Sequence, residues 1–303
     1  MIKKPQQKQR VIIILGPTSA GKTALSIHLA KKFNGEVISA DSRQVYKGLN
    51  LGTGKVTKRE MANIPHHLLD VIDPKKQFSA SDFKEQSETV IKDIVARGYL
   101  PIVAGGTGLY ADTLAGTVIL PGVPPNEKLR IKLEKYTKER LLKMLKKMDP
   151  VRAKNIEPQN KRRIIRAIEI AKTLGKVPKQ KKGASSYEIL WLGIDLPDNV
   201  LKQRIAIRIK ERLRQGMVAE AKRLYAHGLT YKRMEALGLE YRYLAHLLKK
   251  RITKVEFKEQ LNSAIWQYVK RQRRWFKRNK EIQWFSPKEH KKIEARILKF
   301  LHT

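Results

Sequence analysis

The chain has 303 residues, of which 41% are hydrophobic, which is enough for one large domain or for a core with a smaller module. Its 65 lysines and arginines stand against 28 acidic residues, and the net charge of +37 favours an anionic partner, with nucleic acid as the leading candidate and solvated lysine faces as the alternative. The chain contains no cysteine, which excludes disulfides, cysteine-ligated zinc and thiol catalysis.

The N-terminal segment is basic, and the apolar run that follows it covers only residues 11–15. Such a run is too short for the hydrophobic part of a signal peptide or for a membrane span. We therefore expect a cytoplasmic protein with no membrane partner.

The first element and the loop after it carry the strongest local signal. Residues 11–15 are apolar and mostly β-branched, which is typical of a buried parallel strand, and helical spacing follows over 23–33. Between them lies GPTSAGKT, which matches the phosphate-loop pattern G-x-x-x-x-G-K-S/T. A loop of this kind directs backbone N–H groups at one anion, while Lys22 adds charge and Thr23 suits Mg²⁺. The predicted phosphate-binding residues are Gly16, Pro17, Thr18, Ser19, Ala20, Gly21, Lys22 and Thr23.

The next elements predict an α/β fold, a phosphate-loop type of parallel sheet flanked by helices. Strands are predicted over 36–40 and 100–104, a short extended run over 69–72 and a helix over 79–96. Strands that alternate with helices favour a parallel sheet with helices on both faces. Because the carboxyl ends of such strands meet at one edge, we expect the phosphate loop, Asp41 and residues 105–110 to converge there.

The second half of the chain predicts a helical insertion within that fold. A linker is predicted over 120–125, helices over 127–175 with breaks near 149–150 and 157–158, and a basic loop over 175–186. Strand character returns over 188–194, and the chain is mostly helical from 201 onward. The predicted domains are a catalytic core of 1–120 and 187–303, and a basic, all-helical insertion of 121–186 that binds RNA.

The residues alone leave the chemistry of the loop open. The same loop serves ATP-binding kinases and NTPases, but a simple NTPase should also carry a water-positioning residue and an acid after an apolar strand. The strand at 100–104 leads instead into GGTG, without an acid. Asp41 can be a general base, a magnesium ligand or the cap of a turn.

Longer stretches resemble one family, the tRNA dimethylallyltransferases, also called tRNA isopentenyltransferases. The DSRQVY and GGTGLY motifs are far more specific than the phosphate loop. The matching stretches cover nearly the whole chain in family order: GPTSAGKT (16–23), ISADSRQVYKGLNLGTGK (38–55), PHHLLDVIDP (65–74), FSASDF (78–83), GGTGLY (105–110), DPVRAKNIEPQNKRRIIRAIE (149–169), LKQRIAIRIKERLRQGMVAEAKRL (201–224) and KRQRRWF (270–276).

The resemblance implies a reaction, the transfer of a dimethylallyl group from dimethylallyl diphosphate to N6 of adenosine-37 in tRNA. The phosphate loop and Mg²⁺ on Thr23 would then hold the departing diphosphate, with Lys22 and Arg208 as cationic clamps. Asp41 would take the proton from N6, and Thr18 and Thr107 would supply hydroxyls near the reacting centre.

The resemblance also implies the surfaces that contact the tRNA anticodon stem-loop. The stretch 270–280 holds basic residues interleaved with Trp275 and Phe276, which suits phosphate contact with base stacking, although both rings can instead belong to the core of an amphipathic helix. The implied tRNA-binding residues are Asp41, Ser42, Arg43, Gln44, Thr107, Arg130, Arg162, Arg163, Ile164, Ile165, Arg166, Lys270, Arg271, Gln272, Arg273, Arg274, Trp275, Phe276 and Lys277.

Two departures from the family pattern fall in tRNA-linked positions. Ile265 and Trp266 stand where the family commonly has Thr-Arg, and Gly238 is followed by Leu239 rather than tyrosine. They leave the transfer chemistry as expected but put the readout of the anticodon loop in question. The alternatives are an adenylate isopentenyltransferase acting on free nucleotides, which needs no basic insertion, a kinase or NTPase, and an RNA-binding protein in which the loop is structural. We expect a monomer.

Overall fold

A computed structural model describes residues 8–178 and 183–303, so residues 179–182 of the predicted basic loop lie outside the described residues. The strands are β1 (Gln9–Leu15), β2 (Gly35–Ser39), β3 (His66–His67), β4 (Leu100–Gly105), β5 (Tyr187–Ile194) and β6 (Gln283–Phe285). The helices are α1 (Lys22–Lys32), α2 (Lys58–Met61), α3 (Ala80–Ala96), α4 (Gly108–Leu114), α5 (Glu127–Glu134), α6 (Lys138–Met148), α7 (Pro150–Asn155), α8 (Lys161–Leu174), α9 (Asp198–Arg214), α10 (Met217–Ala226), α11 (Tyr231–Leu237), α12 (Leu239–Leu248), α13 (Lys254–Phe276) and α14 (His290–His302).

The strands form a single parallel sheet in the order β3-β2-β4-β1-β5-β6. Strand β1 lies between β4 and β5, and Leu15 at its end is in register with Gly105 and Gly193. The strand order reverses beside β1, and ligands of open parallel sheets bind at such a reversal, beyond the carboxyl ends of the strands. The predicted α/β fold class is confirmed.

Both faces of the sheet are buried, as a parallel sheet requires. Ile12 and Ile14 on β1 join a core cluster with α1, α9 and α13, whereas Val11, Ile13 and Leu15 join a second cluster with α3 and α4. None of these five side chains is more than 1% exposed. The alternation follows from the two-residue repeat of a strand, and it fixes the direction in which β1 delivers the phosphate loop.

The chain divides into two compact units. The catalytic unit, named after the predicted catalytic core, contains the described parts of Met1–Gly116 and Ala184–Thr303, and the helical unit contains those of Thr117–Gly183. The second unit is all-helical, and its bounds lie within a few residues of the predicted insertion at 121–186. Its own core includes Leu133, Leu141 and Ile164.

The breaks between the helices of this second unit follow from local chemistry. Helix α6 ends at Met148, and Asp149 caps α7, which begins at Pro150, where a missing N–H costs nothing. Pro158 falls between α7 and α8, and Asn160 caps α8 by accepting from the N–H of Arg163.

Helix α13 is amphipathic and long. Thr253 and Glu256 form a capping box at its start, and the helix runs 23 residues to Phe276. Its buried face includes Phe257 and Val269, while charged residues cover its outer face. Across residues 8–178 and 183–303, no helix has both the length and the apolar character that a membrane crossing needs.

One predicted element was wrong, and four short elements, α2, β3, α4 and β6, were not predicted. The extended run expected over 69–72 is not a strand, because Leu68 and Asp70 have φ of 60° and 55°, in the left-handed region, which ends β3 at His67. Ile72 forms only an isolated bridge with Tyr46. The three-residue strand β6 also escaped the sequence analysis, because so short an edge strand carries no readable alternation.

Candidate active site

The phosphate loop lies at the carboxyl end of β1, as predicted. A Cβ atom on Gly16 would lie 2.1 Å from the carbonyl oxygen of Ile194, so only glycine permits this approach to β5. Gly21 has φ of 107° and immediately precedes α1, so the N–H groups of the first helical turn face the space above the sheet edge. The conformation is that of an anion cradle.

Two cations with lowered pKa values flank the cradle. Nζ of Lys22 donates to the carbonyl oxygen of Pro17 at 2.8 Å, and burial lowers the pKa of its ammonium to about 8, with Asp41 opposing and Arg208 reinforcing that shift. Nη1 of Arg208, on α9, donates to the Ser19 hydroxyl at 3.0 Å. Burial and the neighbouring Arg212 lower the pKa of Arg208 to about 10. Desolvated cations of this kind gain from an anion that replaces their lost water.

Asp41 follows β2 at the same sheet edge. Its Oδ1 accepts hydrogen bonds from the backbone N–H of Arg43 at 2.8 Å and of Gln44 at 3.3 Å. Asp41 therefore caps the turn after β2, as one of its predicted roles required. Since a carboxylate has two oxygens, this capping is compatible with a second role in proton transfer or metal binding.

Thr107 ties the loop after β4 to the loop after β2. Its Oγ1 accepts from the N–H of Ser42 at 3.0 Å, and its own N–H donates to the carbonyl oxygen of Ala40 at 3.2 Å. A Cβ on Gly105 would lie 2.1 Å from the same Ala40 oxygen, so the two loops pack backbone against backbone. The three predicted strand-end motifs thus meet at one edge.

The predicted tRNA-binding run on α13 divides between two faces. Lys270, Arg271, Arg274 and Lys277 are exposed. Phe276 is 2% exposed and packs in the core on one face of the sheet. The alternative interpretation, in which this ring belongs to the core of an amphipathic helix, is therefore correct, and the prediction of an RNA contact is wrong.

The other members of the run have partners within the catalytic unit. Nε1 of Trp275 donates to Oδ2 of Asp112 at 2.8 Å, and the ring is partly buried. Arg273 is paired with Asp195 and Asp198, and Gln272 is buried. These three side chains fix α13 to the catalytic unit, a role that the sequence did not indicate.

The predicted residues of the helical unit divide in the same way. Ile164 and Ile165 are at most 4% exposed and pack in that unit's core, which corrects their prediction as RNA-contacting side chains. Arg130 and Arg166 are both ion-paired with the buried carboxylate of Glu169.

Arg162 and Arg163 lie on the exposed surface of α8. Arg163 makes an ion pair with Glu157 in which both side chains are more than half exposed. These two arginines keep the exposure that their predicted role requires, and that role stays a prediction.

One residue that orders the segment after DSRQVY was not singled out by the sequence analysis. Glu220 on α10 is 3% exposed, and its carboxylate accepts from the N–H groups of Asn50, Leu51 and Gly52 and from the Tyr241 hydroxyl. It fixes the conformation of the GLNLGTG stretch that follows DSRQVY. No local pattern distinguishes this glutamate from surface acids, because its partners are backbone groups distant in sequence.

The structure shows the surroundings of the residues that depart from the family pattern. Ile265 is 5% exposed and packs in the core, while the Trp266 ring lies beneath Lys202, whose Nζ is 4.9 Å from its centroid. Leu239 has φ of 35°, a conformation that costs a branched residue energy.

The residues present fit Mg²⁺ bound together with a diphosphate. Among the described residues, no group of three or more histidine, cysteine or acidic side chains is arranged to hold a metal ion. Mg²⁺ needs no such group, since it binds through one or two protein oxygens, phosphate oxygens and water. The hydroxyl of Thr23, which is exposed at the start of α1, and the carboxylate of Asp41 are oxygen donors of the required type.

The fold and site together define a phosphate-loop α/β enzyme with a helical insertion. The family model described as IPP transferase matches residues 44–279. The tRNA dimethylallyltransferase of Anoxybacillus flavithermus is 39% identical over 299 residues, covering 97% of this chain and 96% of the relative. The tRNA dimethylallyltransferase 1 of Geotalea daltonii is 40% identical, covering 88% of this chain and 86% of that protein.

Solved structures of the same family are also similar to this chain. The crystal structure of the tRNA isopentenylpyrophosphate transferase of Bacillus halodurans has a TM-score of 0.74 at 35% identity and covers 97% of both chains. A eukaryotic dimethylallyltransferase acting on tRNA has a TM-score of 0.78 at 30% identity, covering 91% of this chain and 73% of the other. The chain belongs to the IPP transferase family.

Proposed function

We propose that the protein transfers the dimethylallyl group of dimethylallyl diphosphate to N6 of adenosine-37 of tRNA, giving N6-(dimethylallyl)adenosine and diphosphate. The observation that carries the proposal is the meeting, at one sheet edge, of an anion cradle, two desolvated cations and the carboxylate of Asp41, which is held by backbone N–H groups. Family membership selects this reaction among those that a phosphate loop can serve.

The proposed step forms one bond and breaks one bond. N6 of adenosine attacks C1 of the dimethylallyl group, and the C1–O bond breaks with its electron pair leaving on the diphosphate. The proton lost by N6 passes to Asp41, acting as general base. Asp41 is suited to this because the backbone N–H groups of Arg43 and Gln44 hold its carboxylate in one orientation.

Charge develops on the diphosphate as it leaves, and fixed donors stabilise that charge best when they are already in place. The N–H groups at the start of α1, Lys22 and Arg208 supply them in this chain. Thr23 would hold Mg²⁺, which would neutralise part of the same charge when bound.

Binding of tRNA is supported by charge and by the exposed basic residues of α8 and α13. Unpaired bases of an anticodon loop can be turned out of their stack at a cost of a few kcal/mol, which suits a reaction on an exocyclic nitrogen. The exposed side chains proposed to contact RNA are Arg162, Arg163, Lys270, Arg271, Arg274 and Lys277.

The test uses labelled dimethylallyl diphosphate, Mg²⁺ and either unmodified tRNA with adenosines at positions 36–38 or free AMP. We expect label on tRNA at adenosine-37. Label on AMP alone would indicate an adenylate isopentenyltransferase. Nucleotide hydrolysis without prenyl transfer would indicate a kinase or NTPase instead.

A further inference from the structure

Gln272 points away from the exposed basic face of α13. It is 5% exposed, although Lys270, Arg271 and Arg274 around it are exposed. Its Oε1 accepts from the backbone N–H of Thr18 at 3.0 Å, and its Nε2 donates to the carbonyl oxygen of Gly106 at 2.9 Å. One side-chain amide therefore joins the phosphate loop to the loop that follows β4.

The surrounding backbone is shaped to admit this amide. A Cβ on Gly106 would lie 2.4 Å from Nε2 of Gln272, so a side chain at that position would displace this amide. The next residue, Thr107, bonds to the backbone of Ala40 and Ser42 on either side of Asp41. A continuous path of hydrogen bonds thus runs from the phosphate loop through Gln272 to the loop that carries Asp41.

We propose that Gln272 is a positioning residue that holds the phosphate loop and the Asp41 loop at a fixed separation, and that it does not contact RNA. The inference rests on the proposed function, in which those two loops hold the leaving group and the base. Misplacement of reacting groups by about 1 Å can cost about 10²-fold in rate, so a single bridge between the loops has a large kinetic effect.

Only a group that both donates and accepts can make this bridge. The N–H of Thr18 needs an acceptor, and the carbonyl of Gly106 needs a donor. A glutamate carboxylate would be repelled by the Gly106 carbonyl, and methionine would offer neither bond at nearly the same volume. A neutral carboxylic acid, with one C=O and one O–H, restores both.

The first experiment compares Gln272→Met with Gln267→Met, the same change at an exposed position of the same helix. We expect kcat at saturating tRNA to fall about 10- to 100-fold in Gln272→Met, with the tRNA Kd equal to that of the wild type. Gln267→Met should match the wild type in kcat. A weaker tRNA Kd with wild-type kcat in Gln272→Met would overturn the proposal, since that result defines an RNA contact.

The second experiment uses Gln272→Glu and pH. Burial raises the pKa of a carboxyl group at this position, so the neutral acid forms within an accessible range. The activity of Gln272→Glu, divided by that of the wild type at each pH, should rise as the pH falls from about 8 to about 6. The ratio removes any pH dependence that the two proteins share. A ratio that does not change with pH contradicts the bridge. If the activity of one sample of Gln272→Glu recovers as the pH is lowered, a folding defect is excluded.

A third readout separates this inference from the proposed function. Binding of inorganic diphosphate, followed by calorimetry without tRNA, reports the phosphate loop alone. Gln272→Met should bind diphosphate about threefold or more weakly than the wild type, because the released loop must be ordered on binding. Equal affinities would overturn the inference. A wild-type protein that binds diphosphate but transfers no prenyl group would contradict the proposed function. The diphosphate affinities of the wild type and Gln272→Met could still be compared in that case.

Discussion

Arginines in the two units of this protein have opposite surroundings. Arg208 in the catalytic unit donates to the Ser19 hydroxyl, and within residues 8–178 and 183–303 no carboxylate lies at ion-pair distance from it. Arg130 and Arg166 in the helical unit both reach the carboxylate of Glu169, which is 1% exposed. Sequence alone gives these three arginines the same predicted role, binding of an anion.

The difference separates cations that bind ligands from cations that support structure. Desolvation lowers the pKa of a cation that has no acidic partner, and an incoming anion then stabilises its charged form. A cation already paired with a buried acid has little to gain from a phosphate, and its removal leaves the acid without compensation. Arg273, which is paired with the partly buried Asp195, also belongs with the arginines that support structure.

The largest effect on activity is expected at Asp41, the carboxylate beside the unpaired cations of the catalytic unit. Asp41→Asn keeps an oxygen that can accept from the N–H groups of Arg43 and Gln44 but removes the base. We expect kcat to fall about 10²- to 10⁴-fold, with the Kd for tRNA and for diphosphate close to those of the wild type. Single-turnover transfer and filter binding measure the two quantities. Full turnover in this variant would exclude Asp41 as the base.

The next effect tests Arg208 as a cation without an acid. Arg208→Gln should lower kcat/KM for dimethylallyl diphosphate about 10²- to 10³-fold, because a donor to the leaving group is lost. The melting temperature should change little, since no buried acid is left unpaired. Arg166→Gln serves as the matched change in the helical unit, where the expected loss is in stability. The comparison fails if Arg208→Gln unfolds the protein while transfer by the remaining folded fraction is normal.

The complementary prediction concerns Glu169. Glu169→Gln weakens the bonds to Arg130 and Arg166 and should destabilise the helical unit by about 2 kcal/mol in denaturant unfolding. Although burial raises the pKa of Glu169, hydrogen bonds from Arg130, Asn126 and Arg166 lower it below its ordinary value overall. The stabilisation is therefore present above the ordinary pKa of about 4.3 and is lost as pH falls through the lower folded value. The glutamine variant should lack that acid-dependent loss.

The strand ends that carry the site could be predicted from sequence, and the inward-facing residues could not. GPTSAGKT, Asp41 and GGTG each follow an apolar strand, and parallel strands deliver their carboxyl ends to one edge by geometry. The burial of Gln272 and Phe276 depends on which face of α13 meets the loops, a tertiary fact that a basic run of sequence conceals. Glu169 and Glu220 resemble surface acids until their distant partners are known.

Lys22 is a second desolvated cation of the catalytic unit, and its charge should make diphosphate binding depend on pH. Its pKa of about 8 means that the free enzyme loses this positive charge as pH rises through that value, well below the usual range for lysine. Because a bound diphosphate favours the ammonium, binding takes up a proton, and affinity should fall up to about tenfold per pH unit above 8. Calorimetry of diphosphate binding in buffers of different ionisation enthalpy measures the uptake. Lys22→Met should lack the part of the pH dependence that comes from the lysine and keep only that of the diphosphate and the other groups. A wild type whose pH dependence equals that of Lys22→Met would contradict the role of the lysine.

The smallest effect is expected at Arg163, an arginine between the two classes. Its ion pair with Glu157 is exposed on both sides and is worth little, so a phosphate can compete with that carboxylate. Arg163→Glu should weaken tRNA binding and reduce the slope of log Kd against log salt by about 0.9 for one lost contact to a duplex stem. Glu157→Gln, which frees the arginine, should strengthen binding slightly and leave that slope intact. An unchanged slope in Arg163→Glu would place this residue with Arg166, among the arginines that support the fold rather than bind tRNA.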